Sequence, residues 1–130
     1  MDKSYVVDTH ALFWHLIGST KLSEMGRQIF HAAFAGGTIL ILSPIVLLEL
    51  YGLARKVRAP FDFATELAVF EQAPFRIEPI TAADLYPLDQ LSTIPELHDR
   101  LIAATALRLN ISILTRDPAI TACTDVTCVW

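Results

Sequence analysis

The segment Ser4-Tyr5-Val6-Val7-Asp8-Thr9-His10-Ala11-Leu12 is a short apolar run followed by an acidic residue and then by a helix-like sequence. Three more acidic residues lie beside apolar runs in the same way: Glu49, Asp99 and Asp117. A carboxylate in such surroundings loses its water, so it must take up a proton, pair with a cation or bind a metal ion. The recurrence of this arrangement predicts that the four carboxylates form one metal site.

The apolar run before Asp8 is rich in β-branched and aromatic residues, which predicts a strand over residues 4–7. Four further segments have the same character: Thr38–Leu42, Phe75–Ile80, Ile111–Thr115 and Val126–Trp130. Apolar strands separated by helical segments are typical of a parallel sheet covered on both faces. We therefore predict an α/β open sandwich, with a mostly parallel central sheet of about five strands and helices on both faces.

Local signals predict where several helices begin and end. Ser43-Pro44 supplies an N-cap followed by proline at the first helical position, so a helix should run from there toward Lys56. Thr81-Ala82-Ala83-Asp84 has the spacing of a capping box. Ile94-Pro95 predicts the start of another helix, and Asn110 suits the left-handed conformation that would end it.

Composition limits the class of protein. The 130 residues fit a single domain spanning residues 1–130, and 53% hydrophobic with 18% charged residues is unlike a disordered chain. The longest apolar stretch, Ile39 to Ala54, is broken by Pro44 and Glu49 and is too short for a membrane span. The first residues lack a secretory signal pattern, which predicts a cytoplasmic location. Cys123 and Cys128 are too few for a zinc site.

The charge balance argues against binding of nucleic acid through a basic surface alone. The formal net charge is −4, from 14 acidic and 10 basic residues, so the excess equals the four carboxylates singled out above. A divalent metal ion would offset part of this acidic focus and would allow a phosphate group to approach it.

Topology predicts that the four acids converge. Ligands of parallel α/β sheets bind beyond the carboxyl ends of the strands, where the strand order reverses. Asp8 and Asp117 follow predicted strands directly, whereas Glu49 and Asp99 lie near the starts of helices that should begin at the same edge. We therefore expect one acidic pocket there.

Each acid also has an ordinary structural explanation. Glu49, on a helix face that should pack inward, could form a buried ion pair with Arg100 or Arg116. Asp99 could be a first-turn acid favoured by the helix dipole. Asp8 could cap the helix that follows it, and Asp117 could be part of a turn. Four such positions together favour the metal site over these separate explanations.

Each acid belongs to a longer motif. The four motifs are Val6-Val7-Asp8-Thr9-His10-Ala11-Leu12, Ser43-Pro44 with Leu48-Glu49-Leu50, His98-Asp99-Arg100-Leu101-Ile102-Ala103-Ala104-Thr105-Ala106 and Leu114-Thr115-Arg116-Asp117. They resemble the four motifs of a PIN domain, in the order of that family and over nearly the whole chain. Within that family, the resemblance is to the VapC-type toxins of toxin–antitoxin pairs.

This resemblance implies a Mg²⁺-dependent or Mn²⁺-dependent endoribonuclease that cleaves RNA with an activated water. Asp8 would be a direct ligand, and Glu49 and Asp99 would complete the shell directly or through water. Asp117 would hold a second ion or orient the attacking water. One or two ions would lower the pKa of that water and neutralise charge on the scissile phosphate, in a displacement that leaves a 5′-phosphate and a 3′-hydroxyl.

Further residues have expected supporting roles. Thr9 and Thr115 are hydroxyl donors placed to hold the ligands, although either could equally cap a strand end. Glu96 lies three residues before Asp99, where many relatives carry another Asp. Basic residues could guide the RNA backbone toward the acids, namely Arg55, Lys56 and Arg116.

The resemblance also implies partners, namely an RNA substrate, a small antitoxin whose peptide blocks the acids, and a second copy of the chain in a homodimer. The helix containing Phe13 and Trp14 could belong to such an interface or to the core.

Two other functions stay open at this point. A phosphoryl-transfer enzyme would also use Asp8, but its motif needs a second Asp two positions later, where this chain has His10. A non-catalytic nuclease-like interaction module would not need acids at all four places. The four histidines lack metal-ligand spacing, so we expect packing or surface positions for them.

Overall fold

The computed structural model describes residues 3–130. Five short strands form one sheet, and every neighbouring pair is parallel. The strands are β1 (Lys3–Val7), β2 (Thr38–Leu42), β3 (Phe75–Ile77), β4 (Ser112–Leu114) and β5 (Cys128–Val129). Six helices flank this sheet: α1 (Thr9–Ile17), α2 (Glu24–Phe34), α3 (Pro44–Val57), α4 (Phe63–Phe70), α5 (Leu97–Leu109) and α6 (Pro118–Thr121). The predicted α/β fold is confirmed, and the sheet is fully parallel.

The strand order is β3-β2-β1-β4-β5, so β1 lies at the centre between β2 and β4. The chain builds outward from β1 through β2 to β3, and it then returns to place β4 on the other side of β1. This reversal is the position where open α/β sheets bind ligands, beyond the carboxyl ends of the strands. Val7 of β1 is paired with Leu114 of β4 at this edge. Asp8 comes one residue after Val7, and Asp117 comes three residues after Leu114.

The predicted helix signals were correct for α3 and for the end of α5. Ser43 caps α3 by accepting a 3.2 Å hydrogen bond from the amide of Ile45, and Pro44 is the first helical residue. Asn110 ends α5 in the left-handed conformation, with φ of 55°. A branched or larger apolar residue would be strained there, whereas asparagine tolerates it.

The predicted start of α5 was wrong by two residues. The helix begins at Leu97 rather than at Pro95, because Glu96 has an extended backbone and acts as the N-cap. Its Oε2 accepts a 3.1 Å hydrogen bond from the amide of Asp99. This capping interaction satisfies one of the free amides at the helix start and places Glu96 beside Asp99.

Other predicted boundaries also changed. The strand expected over Phe75–Ile80 ends at Ile77, and the strands expected over Ile111–Thr115 and Val126–Trp130 are reduced to Ser112–Leu114 and Cys128–Val129. The amide of Glu78 still donates to the carbonyl of Leu42 at 2.9 Å, but Pro44, the next residue of the other chain segment in position to donate to Glu78, has no amide. The predicted capping-box segment forms a single 3₁₀ turn, Ala82–Asp84, followed by another at Tyr86–Leu88.

One hydrophobic core links the sheet to its helices. The fully buried side chains include Val6 and Val7 of β1, and the aromatic residues Phe13 and Trp14 of α1 are also buried, so they belong to the core. Cys123 and Cys128 are free thiols. Within residues 3–130, no helix combines the length and the hydropathy that crossing a bilayer requires.

Candidate metal centre

A cleft of about 470 Å³ opens beyond the carboxyl ends of β1 and β4. All four predicted carboxylates line it, together with Thr9, His10, Leu53, Glu96 and His98. The structure therefore brings together acids from four separate segments of the chain. The four carboxylates therefore line one cleft at the reversal of strand order, as the topology predicted.

Asp8 lies at the base of this cleft and is only 7% exposed. Its Oδ1 accepts a 2.7 Å hydrogen bond from the amide of Thr9, and its Oδ2 accepts a 2.6 Å hydrogen bond from the hydroxyl of Thr115. Burial raises the pKa of Asp8, and these two hydrogen bonds oppose that effect. Asp8 thus caps α1, as its ordinary explanation proposed, and each of its oxygens retains capacity for a further partner.

Glu49 lies in the second turn of α3 and points its carboxylate across to α1 and α5. Its Oε1 accepts a 2.7 Å hydrogen bond from the hydroxyl of Thr9, and its Oε2 lies 3.5 Å from Nδ1 of His98. Both side chains belong to other helices, so Glu49 is held from two directions.

The alternative ion pair of Glu49 with an arginine was wrong. Arg100 donates instead to the backbone carbonyls of Ile94, at 2.6 Å, and Leu88, at 3.5 Å. Arg116 places its guanidinium over the ring of Trp14, with 4.5 Å between the guanidinium carbon and the ring centroid.

Asp99 shows how strongly the acids affect one another. Its pKa is raised to about 7, first by burial and then by repulsion from Asp117, Asp8, Glu96 and Glu49. A carboxylate with this pKa is about half protonated near neutrality. A divalent cation bound in the cleft would relieve this repulsion.

Asp117 joins the site from the segment after β4. Its Oδ1 accepts a 2.9 Å hydrogen bond from the amide of Ala119 and so caps α6. The amide of Asp117 donates to the hydroxyl of Thr115 at 3.0 Å. Because that hydroxyl also donates to Asp8, Thr115 holds the two acids in register across the sheet.

His98 is the residue that sequence reasoning missed. Among residues 3–130, Glu49, Glu96 and His98 are the one group whose potential ligand atoms all lie within 4.8 Å of one another. Nδ1 of His98 is 4.0 Å from Oε1 of Glu96, in addition to its approach to Glu49. His98 is partly exposed, as expected for a surface histidine, but its position beside two carboxylates of the cleft was not predicted.

The basic residues predicted to guide RNA have different positions. Arg116 lies next to the acids, on the wall of a neighbouring cavity that also includes Asp8 and Asp117. Arg55 and Lys56 are exposed in the last turn of α3, and Arg55 lines a separate cavity with its guanidinium 5.6 Å from the ring of Tyr51. Only Arg116 adjoins the acidic cleft.

The donor set fits a hard divalent cation. In the part of the chain that the structure describes, no Lys or Arg lies within 4.0 Å of the carboxylate of Asp8, Glu49, Asp99 or Asp117. Carboxylate oxygens are the ligands that Mg²⁺ and Mn²⁺ prefer, and the imidazole of His98 is compatible with Mn²⁺. Burial and the mutual repulsion of the acids raise the pKa of Asp99, and such an ion would offset the repulsion.

A family model for the PIN domain matches residues 5–123, which includes all four acidic segments. The chain belongs to the PIN domain family. The resemblance seen in the sequence is confirmed, and the PIN fold accounts for the parallel sheet and for the acids at its carboxyl edge.

Solved structures share this PIN fold over nearly the whole chain. VapBC2 from Rickettsia felis, bound to a DNA fragment from its promoter, superimposes with a TM-score of 0.74 at 18% identity and 98% coverage of both chains. FitAcB from Neisseria gonorrhoeae gives a TM-score of 0.67 at 20% identity, with coverage of 97% of this chain and 96% of that one.

A toxin–antitoxin complex from Klebsiella pneumoniae gives a TM-score of 0.66 at 21% identity, with 95% coverage of both chains. A comparison with curated protein sequences gives no significant match. At these identities, the similar structures establish the fold of the chain.

Proposed function

We propose that this PIN domain is a metal-dependent endoribonuclease and the toxin of a toxin–antitoxin pair. The observation that carries the proposal is the cleft in which carboxylates from four segments meet, with no Lys or Arg of residues 3–130 paired to them. Membership in the PIN family and the toxin–antitoxin complexes among proteins of the same fold support it.

Asp8, Glu49, Asp99 and Asp117 would hold the metal, which is Mg²⁺ or Mn²⁺. Such an ion supplies an activated water and neutralises charge on the scissile phosphate. The protein itself holds the carboxylate ligands in place. The hydroxyls of Thr115 and Thr9 fix the carboxylates of Asp8 and Glu49 by short hydrogen bonds, so the ligands need little reorganisation when charge enters the cleft.

Asp99 and Asp117 complete the acidic lining on the side of α5 and α6. Asp99 would give up its proton on metal binding, because burial and then repulsion from the other acids raise its pKa to about 7, and a bound cation would offset that repulsion. Asp117 has one carboxylate oxygen engaged in its helix cap, which leaves the other free to orient the attacking water. Hydrolysis in line would leave a 5′-phosphate and a 3′-hydroxyl.

The remaining parts of the proposal concern partners. A small antitoxin would block the cleft with a peptide, a second copy of the chain would form a homodimer, and the protein would act in the cytoplasm as one domain. Phe13 and Trp14 are buried, so they contribute to the core rather than to a partner surface. Exposed apolar side chains on α3, among them Leu48 and Tyr51, are better placed for a partner.

An RNA cleavage assay tests the enzymatic part. The wild type should cut RNA in Mg²⁺ or Mn²⁺ and should be inactive in EDTA, and the products should carry 5′-phosphates. Asp8→Asn should lose activity by roughly 100-fold or more, because an amide holds a cation poorly. Asp89→Asn is the matched control, since Asp89 is exposed and lies outside the cleft. Cleavage in EDTA, or a fully active Asp8→Asn variant, would rule out the mechanism.

The two alternative functions predict different results. A phosphoryl-transfer enzyme would form a covalent adduct on Asp8 and would leave RNA intact, although both oxygens of Asp8 are already hydrogen-bonded. A non-catalytic module would bind its partner equally well after Asp8→Asn and would show no hydrolysis with either metal.

A further inference from the structure

A second cavity, of about 270 Å³, adjoins the acidic cleft. Asp8, His10 and Asp117 line both cavities, so the two share a wall. The rest of the second cavity is lined by Ala11, Trp14, Arg116, Pro118 and Trp130. We call it the aromatic pocket and define it by His10, Trp14, Arg116 and Trp130.

The rings of the aromatic pocket are held against one another. Trp14 is buried at 8% exposure, and Arg116 lies over it with a guanidinium-to-centroid distance of 4.5 Å. Trp130 meets the same ring edge-on, with centroids 5.8 Å apart, and His10 lies tilted with centroids 5.5 Å apart. The buried ring of Trp14 thus contacts and orients the guanidinium of Arg116 and the rings of His10 and Trp130.

The side chains of the pocket that a ligand can reach are planar, so a flat ligand could stack on them. Arg116 and His10 are exposed, and Trp130 is half-buried. Aromatic rings and guanidinium planes are the surfaces on which proteins stack unpaired bases of single-stranded RNA. The volume lies just below the range of roughly 300–1,000 Å³ typical of pockets for small molecules, which suits one base rather than a longer segment.

We propose that the aromatic pocket binds one unpaired base of the RNA substrate, next to the phosphate that lies at the acids. This inference rests on the proposed ribonuclease function and adds to it a binding site for one base beside the acids. The shared wall of Asp8, His10 and Asp117 supplies the geometry, because a nucleotide whose phosphate reaches the acids has its flanking base at the pocket. Arg116 is then a stacking surface as well as a charge.

Intrinsic fluorescence reports directly on this pocket, because Trp14 and Trp130 are the only two tryptophans of the chain. The experiment uses the full chain carrying Asp99→Asn, in Mg²⁺, so that binding is followed without cleavage. It is titrated with a short single-stranded RNA and with the same RNA carrying one abasic position at a time. We expect quenching by the intact RNA, and a loss of affinity of about tenfold when one particular base is missing.

Three variants separate stacking from charge and from folding. Arg116→Lys keeps the positive charge but removes the planar guanidinium on which a base could stack. It should therefore weaken binding of the intact RNA and leave unchanged the affinity for the RNA that lacks the stacked base. His10→Ala should do the same, and His10 is exposed, so its loss does not threaten the core. Tyr86→Leu is the control, since Tyr86 is 88% exposed and lies outside the pocket, and this change should have no effect.

The outcomes are distinguishable from those of the cleavage assay. A wild-type enzyme that cuts RNA while every abasic substrate binds and is cut equally would overturn the aromatic pocket and leave the nuclease intact. Quenching by a basic peptide but not by RNA would assign the pocket to a protein partner and would also overturn the proposal. Absence of cleavage by the wild type refutes the nuclease itself, whatever the titration shows.

Discussion

The hydroxyl of Thr115 donates a 2.6 Å hydrogen bond to Oδ2 of Asp8, and it connects residues 107 positions apart in the sequence. The same hydroxyl accepts a 3.0 Å hydrogen bond from the amide of Asp117. One buried oxygen atom therefore fixes the relative positions of two proposed ligands at the ends of neighbouring parallel strands. This makes Thr115 a positioning residue whose removal should change metal binding.

Thr115→Val should lower the affinity for Mn²⁺ by roughly 10-fold to 100-fold, since a group that orients a ligand typically contributes that much. Valine has nearly the same shape but offers no hydrogen bond to Asp8. Isothermal titration calorimetry with Mn²⁺ measures the effect without depending on RNA. Thr115→Ser retains the hydroxyl and should recover most of the affinity.

Thr105→Val is the matched control for this substitution. Thr105 is buried, and its hydroxyl donates to the carbonyl of Leu101 within α5, away from the acids. Metal affinity should therefore be unchanged in this variant. Equal affinities in the valine variants at 105 and 115 would show that the hydrogen bond to Asp8 does not position a ligand.

Metal affinity should depend on pH with a midpoint near neutrality. The pKa of Asp99 is raised to about 7 in the metal-free protein, so a proton competes with the metal below that pH. Affinity for Mg²⁺ should fall by up to about tenfold per pH unit below pH 7 and should level off above it. Titrations between pH 5.5 and pH 8.5 measure this slope, and Asp99→Asn should reduce it. A wild-type affinity that stays flat across this range would contradict the prediction.

The same carboxylate should reduce the stability of the metal-free protein at alkaline pH. Because the folded-state pKa of Asp99 lies above its ordinary value of 3.8, the folded state holds the proton more tightly than the unfolded state does. The free energy of unfolding should therefore decrease between about pH 4 and pH 7 and stay level above pH 7. Asp99→Asn should be more stable than the wild type at pH 8 by on the order of 1 to 2 kcal/mol, after allowance for solvent screening, and equally stable at pH 4.

Urea unfolding in EDTA, at both pH values, measures this difference. Asp125→Asn is the control, since Asp125 is exposed near the opposite edge of the sheet and should show no pH-dependent gain. A wild type that is the more stable protein at pH 8 would refute uncompensated repulsion in the cleft.

The sequence predicted the part of this site that backbone topology determines. Asp8 and Asp117 come within a few residues of the ends of β1 and β4, and parallel strands place those ends at one edge. Helices that follow such strands begin at the same edge, so Glu49 could be placed there as well. The order of apolar strand segments and helical segments contains this information without any knowledge of side-chain contacts.

The sequence could not predict what depends on contacts between helices. His98 was judged by its spacing from other histidines, whereas its partner Glu49 comes from a different helix. The start of α5 was misplaced because Pro95 is a strong helix signal, while the capping action of Glu96 depends on a local backbone turn. The position of Arg116 over Trp14 is likewise a tertiary contact, and no local pattern indicates it.

His98 should affect the choice of metal. Its Nδ1 lies 3.5 Å from Oε2 of Glu49, in the group that also includes Glu96. Imidazole binds Mn²⁺ more favourably than the harder Mg²⁺, so His98→Gln should weaken Mn²⁺ binding several-fold and change Mg²⁺ binding little. Electron spin-echo spectroscopy of the Mn²⁺ complex should show coupling to nitrogen in the wild type and lose it in the variant. His31→Gln is the control, since His31 is exposed and lies outside the cleft.

A buried ion pair away from the cleft should make a large contribution to the free energy of unfolding through α5. Asp84 has no solvent exposure, and its Oδ1 accepts a 2.6 Å hydrogen bond from Nε of Arg108. Nη1 of the same arginine donates to Glu78 at 2.9 Å, so one guanidinium compensates two acids. Arg108→Met should therefore reduce the free energy of unfolding by about 3 kcal/mol, because it leaves a buried charge without a partner.

Removing that charge should reverse part of the loss. Addition of Asp84→Asn to Arg108→Met keeps an oxygen for the amide of Thr81, which now donates to Asp84 at 2.9 Å, and it eliminates the unpaired anion. The double variant should be more stable than Arg108→Met alone. Arg27→Met breaks an exposed pair with Glu24 and should cost under about 1 kcal/mol, so urea unfolding of the three proteins separates a buried charge from a surface one. If Arg108→Met costs no more than Arg27→Met, the burial of Asp84 does not govern the stability of this region.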